Sequence, residues 1–361
     1  LLPSRALLKI DGQSCKLSIR NYMSPSTYNV AKNILFKLDA ERAHDLTLVG
    51  LKTLDTLGLL INKTKSITDP TQVMGLTFNN KVGLSAGMDK NGDYIHCLRN
   101  LGFGFLEIGT VTPKPQYGNP KPRMFRIPET DGIINRLGFN NKGVDYLVSR
   151  IKKTQIDQIL GVNIGKNKDT PIKKAQLDYE YGLRKSYPFA DYITINISSP
   201  NTENLRSLQD STNLHALLNH ICVTRDELKS THGKYKPIAV KVAPDLDNYQ
   251  LAKIVEYVQD FGLDAIIATN TTIQRPAEKI RNLSETGGLS GGPLTNISTK
   301  IVEKLAKLAD GSIPIIGVGG ISTAQDAIDK VNAGASLVQI YSGLIYKGPQ
   351  LVMDCAKAIS S

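Results

Sequence analysis

The sequence predicts an α/β protein, a (β/α)8 TIM barrel carrying an N-terminal two-helix extension. Three observations lead there. Eight short β-branched or aliphatic runs recur, at 82–87, 105–111, 159–165, 192–198, 237–243, 265–270, 314–320 and 337–343, mostly bounded by Gly, Pro, Asn or Asp. Most are separated by enough chain for a crossover helix, the mark of a parallel sheet. Nearly every run also ends in a residue that can do chemistry. Lys90, Thr110, Asn163, Asn196, Lys241, Asn270, Gly320 and Tyr341 all fall at or just past a strand end, where barrel enzymes build their active sites.

The barrel accounts for 67–361, an ordinary single-domain size. Residues 1–25 stay unassigned: 1–22 are mixed, basic and aperiodic, and Met23 reads as a possible original start. On that reading the first 22 residues are an expression remnant, a start assigned too early, or a targeting piece. Residues 26–66 form the helical extension. Tyr28, Val30, Ala31, Ile34, Leu35 and Leu38 give one apolar stripe, and Asp39 caps a second helix running to about Gly58. A basic amphipathic pair outside a barrel is either a lid or a membrane-surface patch, and the residues alone favour the lid. Residues 123–139 alternate around Asp131-Gly132, a hairpin signal in a long loop after the second strand.

Composition narrows the function classes. Of 361 residues 41% are hydrophobic, and 44 Lys/Arg against 33 Asp/Glu give a net charge of +11. That charge suits nucleic acid, an anionic membrane or anionic small ligands. No RGG repeat, RNP-like motif or Trp is present, so nucleic acid is not expected. Cys15, Cys97, Cys222 and Cys355 form no CxxC pair, and the five His show no HExxH or HxH spacing. A reduced compartment and no metal follow. No run approaches the roughly 20 apolar residues of a membrane span.

Three glycine-rich features suggest a phosphate site. Gly317-Val318-Gly319-Gly320 leads into a helix, Gln339-Ile340-Tyr341-Ser342-Gly343 closes the eighth strand, and Gly287-Gly288-Leu289-Ser290-Gly291 makes a further turn. This phosphate could belong to a cofactor. Asn135, Asn163, Asn196, Asn201 and Asn270 gather at one face. A single Asn is usually a turn or cap, but five offer the paired donors and acceptors that a pyrimidine or flavin edge needs. Lys241 lies inside an apolar strand, which is costly unless it meets an anion or carboxylate. It suits a developing negative charge. Lys90 suits a substrate carboxylate, or pairs with Asp89. Ser198-Ser199-Pro200 follows the fourth strand without the elbow or His and Asp of a hydrolase, leaving a proton-transfer role open for one hydroxyl.

From about residue 26 to the end, the chain resembles the membrane-associated, quinone-reducing class of dihydroorotate dehydrogenases. The likeness rests on 38–44 (LDAERAH), Ala86-Gly87-Met88-Asp89-Lys90, 107–113 (EIGTVTP), 135–141 (NRLGFNN), 163–167 (NIGKN), 196–202 (NISSPNT), 268–271 (ATNT) and the 317–320 and 339–343 turns. The resemblance implies FMN, with its phosphate on Gly291, Gly320, Tyr341 and Ser342, and its ring among Ala86, Gly87, Lys90, Thr110, Asn163, Asn196, Lys241 and Thr269. It implies dihydroorotate or orotate among Lys90, Asn135, Arg136, Leu137, Gly138, Phe139, Asn196, Asn201, Asn270 and Thr271. Ser199 matches the family's catalytic base; the soluble class carries Cys there. His44, Arg126 and Tyr341 match polar residues of the quinone path. The resemblance reverses the lid reading, making the helices a membrane and quinone site. It also implies a monomer peripheral on a membrane, and the lack of a membrane span favours a bacterial form, on the cytoplasmic face of the cell membrane, over a mitochondrial one.

Two rival readings remain. A flavin barrel acting on RNA, such as a tRNA dihydrouridine synthase, suits the charge but lacks a Cys just past a strand. A membrane-bound phosphate-ligand scaffold would show no dihydroorotate-dependent bleaching.

Overall fold

The computed structural model describes residues 25–58, 67–276 and 282–360. Its centre is a closed parallel barrel of eight strands, β1 (Val82–Leu84), β2 (Phe105–Val111), β3 (Ile159–Ile164), β4 (Tyr192–Asn196), β5 (Ile238–Val242), β6 (Ala265–Ala268), β7 (Ile315–Val318) and β8 (Ala335–Ile340). They pair in sequence order, and β8 closes on β1 with Val338 opposite Val82. Most of their residues are buried, as expected of strands sandwiched between a barrel core and a helix layer.

Several strands stop short of the sequence-predicted ends. Gly87 at φ 110, Gly319 at φ 114 and Gly320 at φ 78 cannot continue a strand. The residues past each ladder turn out of it and line the barrel mouth instead.

The predicted hairpin is present as Met124–Ile127 and Gly132–Asn135, joined by a 3-10 turn at Pro128–Thr130 and Asp131 at φ 50. A third strand joins it. Gly288–Gly291, read from sequence as a turn, runs antiparallel to Gly132–Asn135 with Gly291 opposite Gly132. The correction has a steric cause: a Cβ on Gly291 would meet the Asp131 backbone, and one on Gly288 the Thr271 side chain. Glycine here marks close approach within a sheet.

A second hairpin, Thr71–Val73 with Leu76–Phe78, has no counterpart in the sequence reading. Its turn uses Met74 at φ 55 and Gly75 at φ 71, and a Met in that conformation gives no turn signal. Phe78 packs edge-on against Phe105, the first residue of β2, at 4.9 Å between centroids, and shares a cluster with Tyr192 and Ala265 at the starts of β4 and β6. The hairpin thus plugs the barrel's lower end.

The extension forms α1 (Pro25–Leu35) and α2 (Ala40–Thr56). Asp39 caps α2 as predicted, accepting from Glu41 N at 3.1 Å and Arg42 N at 3.0 Å. Tyr28 and Lys32 of α1 donate to the carbonyls of Leu344, Ile345 and Tyr346, just beyond β8. Glu41 of α2 binds Arg123 beside the hairpin at 2.7 Å. Both helices therefore stand at the C-terminal end of the barrel. No helix among the described residues is long and apolar enough to cross a membrane. The unassigned residues 1–24 and the predicted extension's 59–66 lie outside the described residues.

Candidate active site

One cleft opens at the strand C-termini and encloses about 940 Å³ of empty space, its open mouth included. Five groups of residues from different parts of the chain converge on it. From β1 and its loop come Ala86, Gly87 and Lys90; from β2, Thr110; from the hairpin and the turn after it, Asn135, Leu137, Gly138 and Phe139. β4 to β6 and the loops after them bring Asn196, Ser199, Asn201, Lys241, Thr269, Asn270 and Thr271, and the far wall brings Gly291, Gly320, Tyr341 and Ser342. The sequence-predicted residues are thus mostly one constellation. Four are not at the cleft wall: Asn163, Arg136, His44 and Arg126.

Lys241 is buried at the floor, where its Nζ donates to Ser85 Oγ at 3.2 Å. Burial pushes its pKa down, and the charge of Glu107 pulls it back up. Among the described residues no carboxylate comes within ion-pair distance of it. Lys90 is partly buried at the cleft edge. Burial lowers its pKa to about 8, opposed first by Glu41. Pairing with Asp89 is not its role, because that carboxylate accepts from the backbone N–H groups of Asn91, Asp93 and Tyr94 at 3.2, 3.1 and 2.8 Å.

Ser199 is buried at the cleft, its Oγ accepting from Asn201 N at 3.3 Å. Asn201 Nδ2 donates to Asn135 Oδ1 at 3.1 Å, which ties the β4 loop to the hairpin. Arg206 closes this side, donating to Ser198 O at 3.0 Å, Asp245 at 2.7 Å and Thr271 O at 2.8 Å. Arg206 therefore ties three strand-end loops together.

On the far wall, Gly319 and Gly320 turn the backbone over the helix Thr295–Ala309. Thr295 Oγ1 donates to Gly320 O at 2.8 Å and Ser298 Oγ to Val318 O at 2.6 Å, while Ser290 and Ser342 hydroxyls meet at 2.8 Å. With these carbonyls already satisfied, the wall offers backbone N–H groups and hydroxyls, a set that suits phosphate.

The residues off the wall have clear places. Asn163 lies behind Thr110, accepting from its hydroxyl at 2.6 Å. Arg136 pairs with Glu285 at 2.7 Å and stacks on Phe125. Arg126 donates to Leu35 O and Leu38 O and lies over Phe36, pinning the corner between the two helices. His44 of α2 sits near Lys90, with burial and then the Lys90 charge lowering its pKa to about 4. Tyr341 is in the cleft, its phenol pushed up to about 12 by burial.

Sequence reasoning missed two groups. Glu107, fully buried in β2, accepts four side-chain hydrogen bonds. Gln339 lines the cleft with its Nε2 on Glu107 at 2.9 Å. The signal was available: a Glu inside an apolar strand is as costly as the Lys241 that drew attention.

The family model for dihydroorotate dehydrogenase matches residues 70–361. A protein named dihydroorotate dehydrogenase (quinone) from Thiobacillus denitrificans is 54% identical over 334 residues, 92% of this chain and 99% of that one. Its namesake from Neisseria meningitidis serogroup B is 53% identical over the same coverage. A crystal structure of the Eimeria tenella enzyme with ferulenol superposes with a TM-score of 0.83 at 39% identity, over 89% of this chain and 90% of that one. With that barrel, that cleft and these relatives, the chain belongs to the dihydroorotate dehydrogenase family.

Proposed function

We infer that this chain oxidises (S)-dihydroorotate to orotate in pyrimidine synthesis and passes the electrons to a quinone, with FMN as its flavin. The observation that carries the reading is the convergence of a glycine-lined anion wall, a buried lysine and a set of Asn and Thr side chains on one barrel mouth, in a chain of this family. The cleft's polar atoms fit FMN. Thr269 Oγ1, Thr271 Oγ1 and Gln339 Oε1 are buried without hydrogen-bond partners, and native proteins seldom leave such atoms unmatched.

When bound, FMN supplies the two-electron acceptor for the substrate hydride and the donor to quinone. The chain's residues do the rest. Gly291, Gly320, Tyr341 and Ser342 hold the phosphate. Ala86, Gly87, Lys90, Thr110, Asn196 and Thr269 bound the ring, with Asn163 supporting Thr110 from behind. Lys241 would place a positive charge beside it at the buried floor, where such a charge acts strongly. Lys90 attracts the dihydroorotate carboxylate. Asn135, Asn196, Asn201, Asn270 and Thr271 hold the pyrimidine edge, and Leu137, Gly138 and Phe139 cover it; Arg136 braces that cover from outside. Ser199 Oγ takes the C5 proton. A serine hydroxyl is a weak base, and the Asn201 N–H fixes where its oxygen sits.

The helices α1 and α2 supply the quinone and membrane site. Val30, Ile34, Leu46 and Val49 are all more than half exposed, and exposed apolar residues clustered on a helical pair suit an interface with lipid. The chain works as a monomer, peripheral on the cytoplasmic face of the cell membrane and attracted by its anionic lipid. His44, Arg126 and Tyr341 mark the path from the helices inward. Anaerobic absorbance tests the reading. Purified protein is expected to show a flavin spectrum that dihydroorotate bleaches and quinone restores. A colourless protein, or a flavin that dihydroorotate leaves oxidised, sinks it.

A further inference from the structure

The barrel interior holds a carboxylate that the reaction does not call for. Glu107 is wholly buried. It accepts from Asn163 Nδ2 at 2.8 Å, Tyr192 OH at 2.9 Å, Thr194 Oγ1 at 3.1 Å and Gln339 Nε2 at 2.9 Å. Burying a charge this deep is expensive, and the fold alone gives no reason to keep it.

A carboxylate can only accept, and this restriction propagates. Asn163 must turn its NH2 toward Glu107, so its carbonyl faces Thr110. The Thr110 hydroxyl has one proton, which goes to Asn163 Oδ1 at 2.6 Å. Thr110 can then only accept from Asn196, and it does, from Nδ2 at 2.8 Å. Asn196 is left presenting Oδ1, which receives Ser198 Oγ at 2.9 Å and faces Asn270 Nδ2 at 3.4 Å. The second branch is shorter. Gln339 gives its NH2 to Glu107, and its Oε1 is left without a partner in a residue that lines the cleft.

We propose that Glu107 is a positioning residue that fixes the donor–acceptor order of the cleft floor: it dictates which end of Asn196 and Gln339 is presented to the bound ring system. The proposal rests on the reading that a flavin and a pyrimidine occupy the cleft. Planar rings with alternating C=O and N–H edges are matched by one order of amide groups and mismatched by its reverse, so a fixed order is a specificity device.

The test is Glu107→Gln in the full chain. The new amide can donate or accept, so Asn163, Thr110 and Asn196 lose their unique order. FMN affinity is read from quenching of free flavin fluorescence by apoprotein, and orotate affinity from its perturbation of the flavin absorbance. Both are expected to weaken by roughly tenfold, the effect of one mismatched buried polar group. The loss of Glu107 also removes a charge that raises the Lys241 pKa, so the alkaline limit of FMN binding is expected to move to lower pH. A merely structural role would lower the melting temperature and leave both affinities and that limit in place, which would overturn the proposal. Should Glu107→Gln fail to fold, Asn163→Ala keeps the carboxylate and removes the amide that joins it to Thr110. Asn163 does not line the cleft, so weaker orotate binding in that variant must travel through its partners Thr110 and Glu107, and unchanged binding overturns the proposal equally. If the wild type binds neither FMN nor orotate, the functional reading fails together with this one; if it binds both and Glu107→Gln matches it, the polarity assignment alone fails.

Discussion

At the scale of single residues, the proposed chemistry rests on one hydroxyl and two lysines whose surroundings differ. Ser199→Ala should leave FMN bound and slow flavin reduction by roughly 10²–10⁴, the usual contribution of a positioned base; stopped-flow bleaching at the wild-type rate would remove Ser199 from that role. Lys241→Ala should reduce both flavin content and reduction rate, because the ammonium is buried at the floor with a hydroxyl as its bonded neighbour. Normal flavin content and turnover would show that it serves packing alone. Lys90 gives a pH dependence. In the role proposed for it only the protonated form attracts the substrate carboxylate, and burial lowers its pKa to about 8. KM for dihydroorotate should therefore be flat below that pH and rise by roughly tenfold per unit above it; the limb should vanish in Lys90→Met, whose KM is high throughout. A KM unchanged to pH 10 would place the carboxylate elsewhere. Much of this was legible. Lys241 stands out in an apolar run, and the Asn residues stand out by recurring at strand ends. Glu107 sits in a run just as apolar, yet its role is not legible there, because its partners Asn163, Tyr192, Thr194 and Gln339 come from three other strands. Only the closed barrel brings them within hydrogen-bond distance.

At the scale of elements, the eight strands could be read from sequence because buried parallel strands are continuous apolar runs. Their ends could not, since Gly87, Gly319 and Gly320 leave the ladder through positive φ, and glycine permits that turn without requiring it. The Gly288–Gly291 strand was hidden for a related reason: its glycines exist for the approach of Asp131 and Thr271, partners remote in sequence. The attachment of α2 is also a tertiary fact. Glu41 and Arg123 are both buried and meet at 2.7 Å, and Arg123 also holds the carbonyls of Tyr117 and Asn119 at 2.6 and 2.8 Å. The Arg123 charge and hydrogen bonds outweigh burial and hold the Glu41 carboxyl below its ordinary range. Glu41→Ala leaves a buried guanidinium without its carboxylate, at about 3–5 kcal/mol. Because the barrel core lies elsewhere, the loss should fall on helix docking. Hydrogen exchange in α2 should accelerate strongly while β2 to β5 stay protected. Equal acceleration in both would show that the helices and the barrel open as one unit.

For the whole molecule, two ends of one barrel are closed by different means, and the difference assigns their tasks. The lower end is plugged by the 71–78 hairpin and its aromatic contacts. The upper end keeps an open cleft, with α1 and α2 beside it presenting Val30, Ile34, Leu46 and Val49 to the outside. Each such side chain is worth about 1.5–3 kcal/mol when moved from water into an apolar medium, and each Lys or Arg close to anionic lipid adds about 1 kcal/mol. If these helices carry the membrane and quinone site, the two half-reactions must separate. Deleting 26–60 in a chain that still folds should leave bleaching by dihydroorotate intact, abolish reduction of a long-chain quinone, and end co-sedimentation with anionic vesicles; deleting 1–22 should change none of these. A gentler variant makes the same distinction without removing an element: Ile34→Asp with Val49→Asp puts charge on exposed positions that contribute little to the fold. It should keep the rate of flavin reduction and lose vesicle binding. Reduction of a short, water-soluble quinone should survive in this double variant, because only delivery from the membrane is impaired. Full activity with long-chain quinone in vesicles, in either variant, would mean that the helices cover the barrel and that electrons leave by another route.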